Sequence, residues 1–131
     1  MLIQNKNFNY KSLGDEDFKS IILKKTFIKF TEIKKKNFLD CNFVDVDFGE
    51  TDIVDCKFIN CNFSNCALFH TNFQNCTFEN VNGSDFDLRA GLLIKNIFSN
   101  CNFFNSCFRG SKLMDNNISN FLINNCDMKN I

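Results

Sequence analysis

A large apolar side chain recurs every fifth residue through most of this chain, and no other feature narrows its fold so far. The series runs Phe38, Phe43, Phe48, Ile53, Phe58, Phe63, Leu68, Phe73, Phe78, then Leu88, Leu93, Phe98 and on at the same spacing to Met128; Gly83 is its single break. Five residues fit neither the 3.6-residue turn of a helix nor the two-residue period of an uninterrupted strand. A short fixed period means a solenoid, in which each repeat packs on its neighbours.

The positions around each centre say how the repeat is bent. Two residues before it the side chain is small or slim, as in Cys41, Val46, Thr51, Cys56, Cys61 and Cys66. The residue between is polar, as in Asn42, Asp47, Asp52 and Asn62. Alternation of this kind turns the small and large residues to one side of an extended segment. Two residues after the centre, fourteen of the nineteen positions from 40 to 130 are Asn or Asp. These side chains hydrogen-bond their own backbone and tolerate turn conformations. The sequence therefore predicts a coil of short straight edges joined by polar corners.

Runs such as Cys61-Asn62-Phe63-Ser64-Asn65 and Cys101-Asn102-Phe103-Phe104-Asn105 carry a resemblance to the pentapeptide-repeat family. Its consensus is a small residue, Asp or Asn, Leu or Phe, then two freer positions, and the resemblance covers about residues 36–131. It implies an all-β fold, a right-handed quadrilateral β-helix with four repeats per coil. Residues twenty apart would then stack: Phe58, Phe78 and Phe98 in one column; Phe43, Phe63 and Phe103 in another, interrupted at Gly83; Cys41 over Cys61 and Cys56 over Cys76. Asn60, Asn80, Asn100 and Asn120 would make a corner ladder of side-chain amides. About five coils at ~4.8 Å each give the repeat region a length of ~24 Å.

The expected organisation is an N-terminal cap or degenerate first coil over 1–25 and a β-helix over 26–131, irregular at 81–97. Ser12 to Lys25, with Asp15, Glu16 and Asp17 ahead of Phe18, Ile21 and Ile22, reads as a capped helical turn. Thr26 to Glu32 reads as a strand. At 81–97, Phe86 stands in a small-residue slot and either fills the space Gly83 leaves or belongs to a bulge that re-enters frame at Leu88.

Charge and cysteine usage bound the chemistry. Formal net charge is zero, yet residues 1–36 hold nine Lys against four acids while 37–131 hold six basic residues against eleven acids. Seven of the eight Cys sit in small slots at separations that are multiples of five, with no C-x-x-C pair and a single His, His70. This placement argues for reduced, buried thiols over zinc or disulfides, with Cys107, out of register, the most exposed. No cofactor is expected. The segment Met1 to Lys6 lacks the apolar run of a signal peptide, and nothing approaches the ~20 apolar residues of a membrane span. A soluble cytoplasmic protein is expected, with neither a membrane nor a nucleic acid as direct partner.

His70 falls at an outward corner with no nucleophile set beside it, and the interior of a filled rod offers no cleft, so no enzyme activity is expected. Apolar residues at outward positions, Leu92, Ile94, Ile97 and Met114, mark the expected partner-binding face of a rigid protein–protein interaction module. A second surface is acidic: Asp40, Asp45, Asp47, Glu50, Asp52 and Asp55 lie on one coil without an intervening basic residue. The resemblance gives this coil an alternative meaning. Some relatives mimic duplex DNA, bind DNA gyrase or topoisomerase and protect it from quinolones or inhibit it. Finally, Phe121, Leu122, Ile123 and Met128 invite a homodimer through the C-terminal coil.

Overall fold

The structure is a computed structural model that describes residues 1–131. It contains no helix, so none that is long and apolar enough to cross a membrane. Corners explain why. Every multiple of five from 5 to 130 except 15 has a positive φ, between 50° and 60° wherever the residue carries a side chain. Gly14, at φ 84°, makes the corner that residue 15 does not. A left-handed residue at each fifth position bends the chain, so most strands are three residues long, only Ile97–Phe104 and Asn117–Asn124 running on through their corners, and it precludes a helical turn. Asn and Asp hold most of these corners because they tolerate that conformation best.

Between corners the chain runs straight, and every strand pairs in parallel with the one twenty residues away. Face 1 stacks Leu2–Gln4, Ile22–Lys24, Asn42–Val44, Asn62–Ser64, Asn82–Ser84 and then 102–104 and 122–124. Face 2 touches through single bridges at 7, 27, 47, 67, 87, 107 and 127. Face 3 stacks Glu32–Lys34, Asp52–Val54, Asn72–Gln74, Leu92–Ile94 and Lys112–Met114. Face 4 runs from Phe18–Lys19 through Asn37–Leu39, Lys57–Ile59 and Thr77–Glu79 to 97–99 and 117–119. Four faces per twenty residues make a quadrilateral β-helix. Six steps at ~4.8 Å give ~29 Å, longer than the repeat region alone because the N-terminal residues join the stack.

The core is one column-built cluster of 27 buried apolar residues. Phe38, Phe58, Phe78 and Phe98 stack face to face with centroids 4.7, 5.1 and 4.7 Å apart and planes within 7°. Phe43 and Phe63 do the same at 4.7 Å. Neighbouring columns meet edge-on, as Phe38 meets Phe43 at 67°, an arrangement the aromatic quadrupole favours. The small slots have a second requirement beyond size. The sulfurs of Cys41, Cys56, Cys61, Cys66, Cys76 and Cys101 each lie 3.3–3.5 Å from the backbone carbonyl 23 residues earlier. Thr51 and Thr71 donate to the equivalent carbonyls of Ile28 and Phe48 at 2.6 and 3.0 Å. The slot selects a slim side chain, which donates where it is Cys or Thr and only packs where it is Val46 or Val81.

Two local expectations are corrected. No helical turn forms over Ser12 to Lys25. The Asp17 carboxylate, which would cap such a turn, instead accepts the Asn37 backbone N–H at 2.9 Å and its side-chain amide at 3.1 Å. The strand expected over Thr26 to Glu32 does not form: Phe27 makes only isolated bridges, Phe30 is a corner, and the next strand is Glu32–Lys34. Around Gly83 the stack is continuous: Gly83 pairs with Phe63 below and Phe103 above, without a bulge. A Cβ at Gly83 would lie 2.4 Å from Phe86 Cε1 and 2.8 Å from Phe103 Cδ1. The Phe86 ring thus occupies the volume the missing core side chain vacates.

Candidate functional site

Outward positions decide what such a rod can contact. On face 3, Ile94 stacks between Gln74 and Met114, and Leu92 between Asn72 and Lys112. Leu92 and Ile94 are half-buried, whereas Met114 is 52% exposed. Ile97, 48% exposed, stands on face 4, one corner away at Lys95. The structure therefore gathers Leu92, Ile94 and Met114 on one surface and sets Ile97 on the adjoining one. Val54, Asn72, Gln74, Leu92 and Ile94 help line a shallow depression of about 300 Å³.

The acidic residues encircle the rod. Asp40, Asp45, Glu50 and Asp55 are successive corners of one coil, Asp52 points out from face 3 and Asp47 from face 2. Four of them have a defined partner on the next coil. Asn60, Asn65, Asn72 and Asn75 donate amide hydrogens to Asp40, Asp45, Asp52 and Asp55 at 3.1, 2.7, 2.8 and 2.7 Å. Asp47 accepts the Gly49 backbone N–H at 2.9 Å. The ladder on Asp40 continues upward as Asn80 to Asn60; another joins Asn82 to Asn62 to Asn42, and single rungs join Asn120 to Asn100 and Asn125 to Asn105. Every amide donates toward the N-terminal end, so the lowest member needs only to accept, a role a carboxylate fills. The Asp-rich coil is thus the foot of several Asn ladders.

Lys36, which the sequence reading did not single out, stands two residues before Phe38 in a small-residue slot. It is 3% exposed; its Nζ donates to the carbonyl oxygens of Gly14, at 3.1 Å, and Glu16, and lies 4.3 Å from the Phe18 ring centroid. Burial pushes its ammonium pKa down, against the opposing pull of Asp17. The side chain stitches the irregular first coil, where Gly14 displaces the corner, to the regular coil above it.

The remaining candidates carry no assembled chemistry. All eight Cys are unpaired, six buried and Cys107 and Cys126 half-buried. Burial pushes the Cys66 thiol up to about 12 and raises Cys101; in the stacked pairs, the facing thiol and burial together raise Cys61 and Cys76. His70 is an exposed corner residue packed edge-on against Phe69 at 4.1 Å. No three His, Cys, Asp or Glu side chains converge as a metal site. Inside the rod, an apolar void of about 30 Å³ beside Phe86 and Phe103 is about the size of one water molecule. At the C-terminal coil, Ile118, Leu122, Ile123 and Met128 are exposed.

Comparison with known proteins agrees with the coil geometry. The family described as Pentapeptide repeats matches residues 50–82, in 8 copies. No curated protein sequence matches. Among solved structures, a trypsin-treated form of QnrB1, a plasmid-mediated fluoroquinolone resistance protein, is 15% identical over 99% of this chain and 81% of its own, with a TM-score of 0.47. Rfr23, a pentapeptide repeat protein from the cyanobacterium Cyanothece 51142, is 12% identical over 96% and 84%, with a TM-score of 0.41. The five-residue repeat, the twenty-residue register and the left-handed corners extend through the chain the architecture of a pentapeptide-repeat β-helix, the family whose model matches residues 50–82.

Proposed function

We propose that the protein is a non-enzymatic, rigid protein–protein interaction module whose partner binds the surface around Leu92, Ile94, Ile97 and Met114. One observation carries this reading: the inward side of every coil is filled by the chain's own side chains, with no buried polar atom left unpartnered, while Leu92, Ile94, Ile97 and Met114, which the core does not need, face outward on the adjoining faces 3 and 4. Rigidity follows from the inter-coil ladders, so a partner would meet a pre-formed surface at low entropic cost. Leu92→Lys with Ile94→Lys tests it. Affinity capture from the source cells should retain a defined partner on the wild-type rod and lose it on the variant, with unchanged circular dichroism. An identical set of captured proteins would sink the assignment. The reading extends to a homodimer through the C-terminal coil, in which Ile118, Ile123 and Met128 would be covered; a monomer by sedimentation velocity across micromolar concentrations would exclude it.

The alternative reading, a DNA mimic directed at DNA gyrase or topoisomerase, would rest on the carboxylate ring from Asp40 to Asp55. Asparagine partners hold four of these carboxylates in fixed places, as a phosphate array requires. The ring is one coil deep, however, whereas duplex DNA presents a charge every ~1.7 Å along its axis. A supercoiling assay with and without a quinolone separates the two readings. Inhibition or protection that disappears when Asp45, Asp47, Glu50 and Asp52 are changed to their amides would establish mimicry.

A further inference from the structure

The zero net charge of the chain conceals a separation of charge along the rod. Residues 1–11 and 20–30 form faces 1 and 2 of the two N-terminal coils, with their corners. They carry five lysines, Lys6, Lys11, Lys24, Lys25 and Lys29, and no acid. Among the lysines stand Leu2, Tyr10, Ile22, Phe27 and Phe30, all exposed, Tyr10 at 76% and Phe27 at 49%. The same columns turn polar in the coils that follow. Asn42, Asn62 and Asn82 continue from Ile22, Asp47 follows Phe27, and Glu50 succeeds Phe30. Core packing does not account for aromatic and aliphatic residues at these outward places.

Two of them also sit against local preference. Tyr10 and Phe30 occupy left-handed corners, at φ 60° and 56°, where bulky side chains are disfavoured; the same corner column continues with the smaller or polar Glu50, His70, Ala90 and Gly110. The Tyr10 and Phe30 rings stack at 4.9 Å, 9° from parallel, and the Lys29 ammonium lies 5.1 Å from the Phe30 centroid. The result is an apolar ridge edged by ammonium groups.

We propose that this ridge docks the protein, N-terminal coils first, on an anionic lipid bilayer. Exposed aromatic and aliphatic side chains enter the boundary between headgroups and acyl chains, and lysines beside them meet anionic headgroups. Neither arginine of the chain, Arg89 or Arg109, lies in these coils. Guanidinium is the group suited to fixed, bidentate phosphate recognition, whereas lysine point charges suit laterally mobile lipids. The mutual stacking of Tyr10 and Phe30 occupies ring faces that a nucleobase would need, and Leu2 and Ile22 offer a base nothing. The acidic ring sets the limit of the contact. Asp45, Asp47 and Glu50 border the patch from the third coil, and Asp45 shares a groove with Lys6, Lys25 and Phe27. Asp15, Glu16 and Asp17 lie beyond it, toward faces 3 and 4. Contact is therefore confined to the first two coils, and the later coils, with the surface around Ile94, stand away from the membrane. The expectation of no membrane partner followed from the lack of an apolar span, a criterion that does not register a surface that docks on a bilayer without crossing it.

Vesicle co-sedimentation of the full chain tests the proposal. Phosphatidylcholine vesicles containing about 30 mol % phosphatidylserine should retain the protein at physiological salt, less so at high salt, and pure phosphatidylcholine should not. Lys24→Gln with Lys25→Gln should lower the partition about 25-fold, roughly fivefold per lysine. Phe27→Ser with Phe30→Asn, the latter a residue the corner prefers, should lower it about tenfold or more with unchanged circular dichroism. Lys95→Gln with Lys112→Gln makes the same charge change on distant coils and should leave the partition unaltered. Equal binding to neutral vesicles, no binding to anionic ones, or an equal loss in the distant control would overturn the proposal. So would retention of single-stranded RNA in preference to anionic vesicles.

Discussion

Changing Phe86 to Cys and Gly83 to Phe, singly and together, moves the irregular coil in two steps to the arrangement of its neighbours. Phe86 is buried and meets Phe103 and Phe108 edge-on at 5.0 and 5.5 Å. Removing its ring beside a glycine leaves nothing to collapse into the space, so Phe86→Cys should cost about 3–5 kcal/mol. Gly83→Phe alone forces a clash. A Cβ at that point already lies 2.4 Å from Phe86 Cε1, against 3.4–4 Å in ordinary contact, so the full ring should cost about 3 kcal/mol, at the upper end of overpacking penalties. In the double variant the introduced phenyl ring would complete the column between Phe63 and Phe103, and the introduced thiol would face the Phe63 carbonyl as the other slot cysteines face theirs. Its stability should return to within about 1–2 kcal/mol of the parent, a coupling of about 3 kcal/mol or more. Guanidinium midpoints, compared at constant m, measure all four corners of the cycle. Single costs that add to within about 0.5 kcal/mol would refute volume exchange between residues 83 and 86.

Ala90→Asn and Lys95→Asn, at corners with φ 56° and 55°, should each stabilise the rod by about 0.5–1 kcal/mol, because asparagine relieves left-handed strain; a lower urea midpoint would contradict this. The Asn37 backbone N–H and side-chain amide, with Lys36 nearby, hold the Asp17 carboxyl below its ordinary range. Its contribution is thus present above the ordinary carboxylate pKa and lost as pH falls through the depressed value. Amide exchange should show the first coil loosening earlier than the central coils on acidification, and Asp17→Asn should remove that pH dependence. With a thiol-specific reagent near neutral pH, Cys107 and Cys126 should label in the native protein, while Cys41, Cys56, Cys61, Cys66, Cys76 and Cys101 should wait for unfolding. Early labelling of Cys66, whose thiol burial pushes up to about 12, would mean that the coils open locally.

By itself the sequence determined the rod. A centre every five residues, a slim slot two before it and Asn or Asp two after it are local constraints, each satisfied within a few residues, so the straight edges and corners could be read without tertiary information. The stacking of Phe58 on Phe78 and Phe98 followed once four repeats were assigned to a coil. What only the tertiary structure decided depends on contacts twenty or more residues apart. The Asp-rich coil reads as a charge cluster in one dimension, and only the stack shows Asp40, Asp45, Asp52 and Asp55 each accepting from an Asn of the next coil. Asp17 looked like a helix cap because its neighbours suit one; its actual partner, Asn37, belongs to the next coil. Lys36 drew no reading from the sequence, and only the stack shows it as the stitch to Gly14 and Glu16. Ile97, close to Ile94 in sequence, lies across a corner from it, and Leu2, Tyr10, Ile22, Phe27 and Phe30 form one surface only when their coils are superposed. A five-residue pattern encodes which side of the chain faces inward. Which outward side chains become neighbours is set by the twenty-residue turn, through hydrogen bonds and stacking between coils that no single repeat contains.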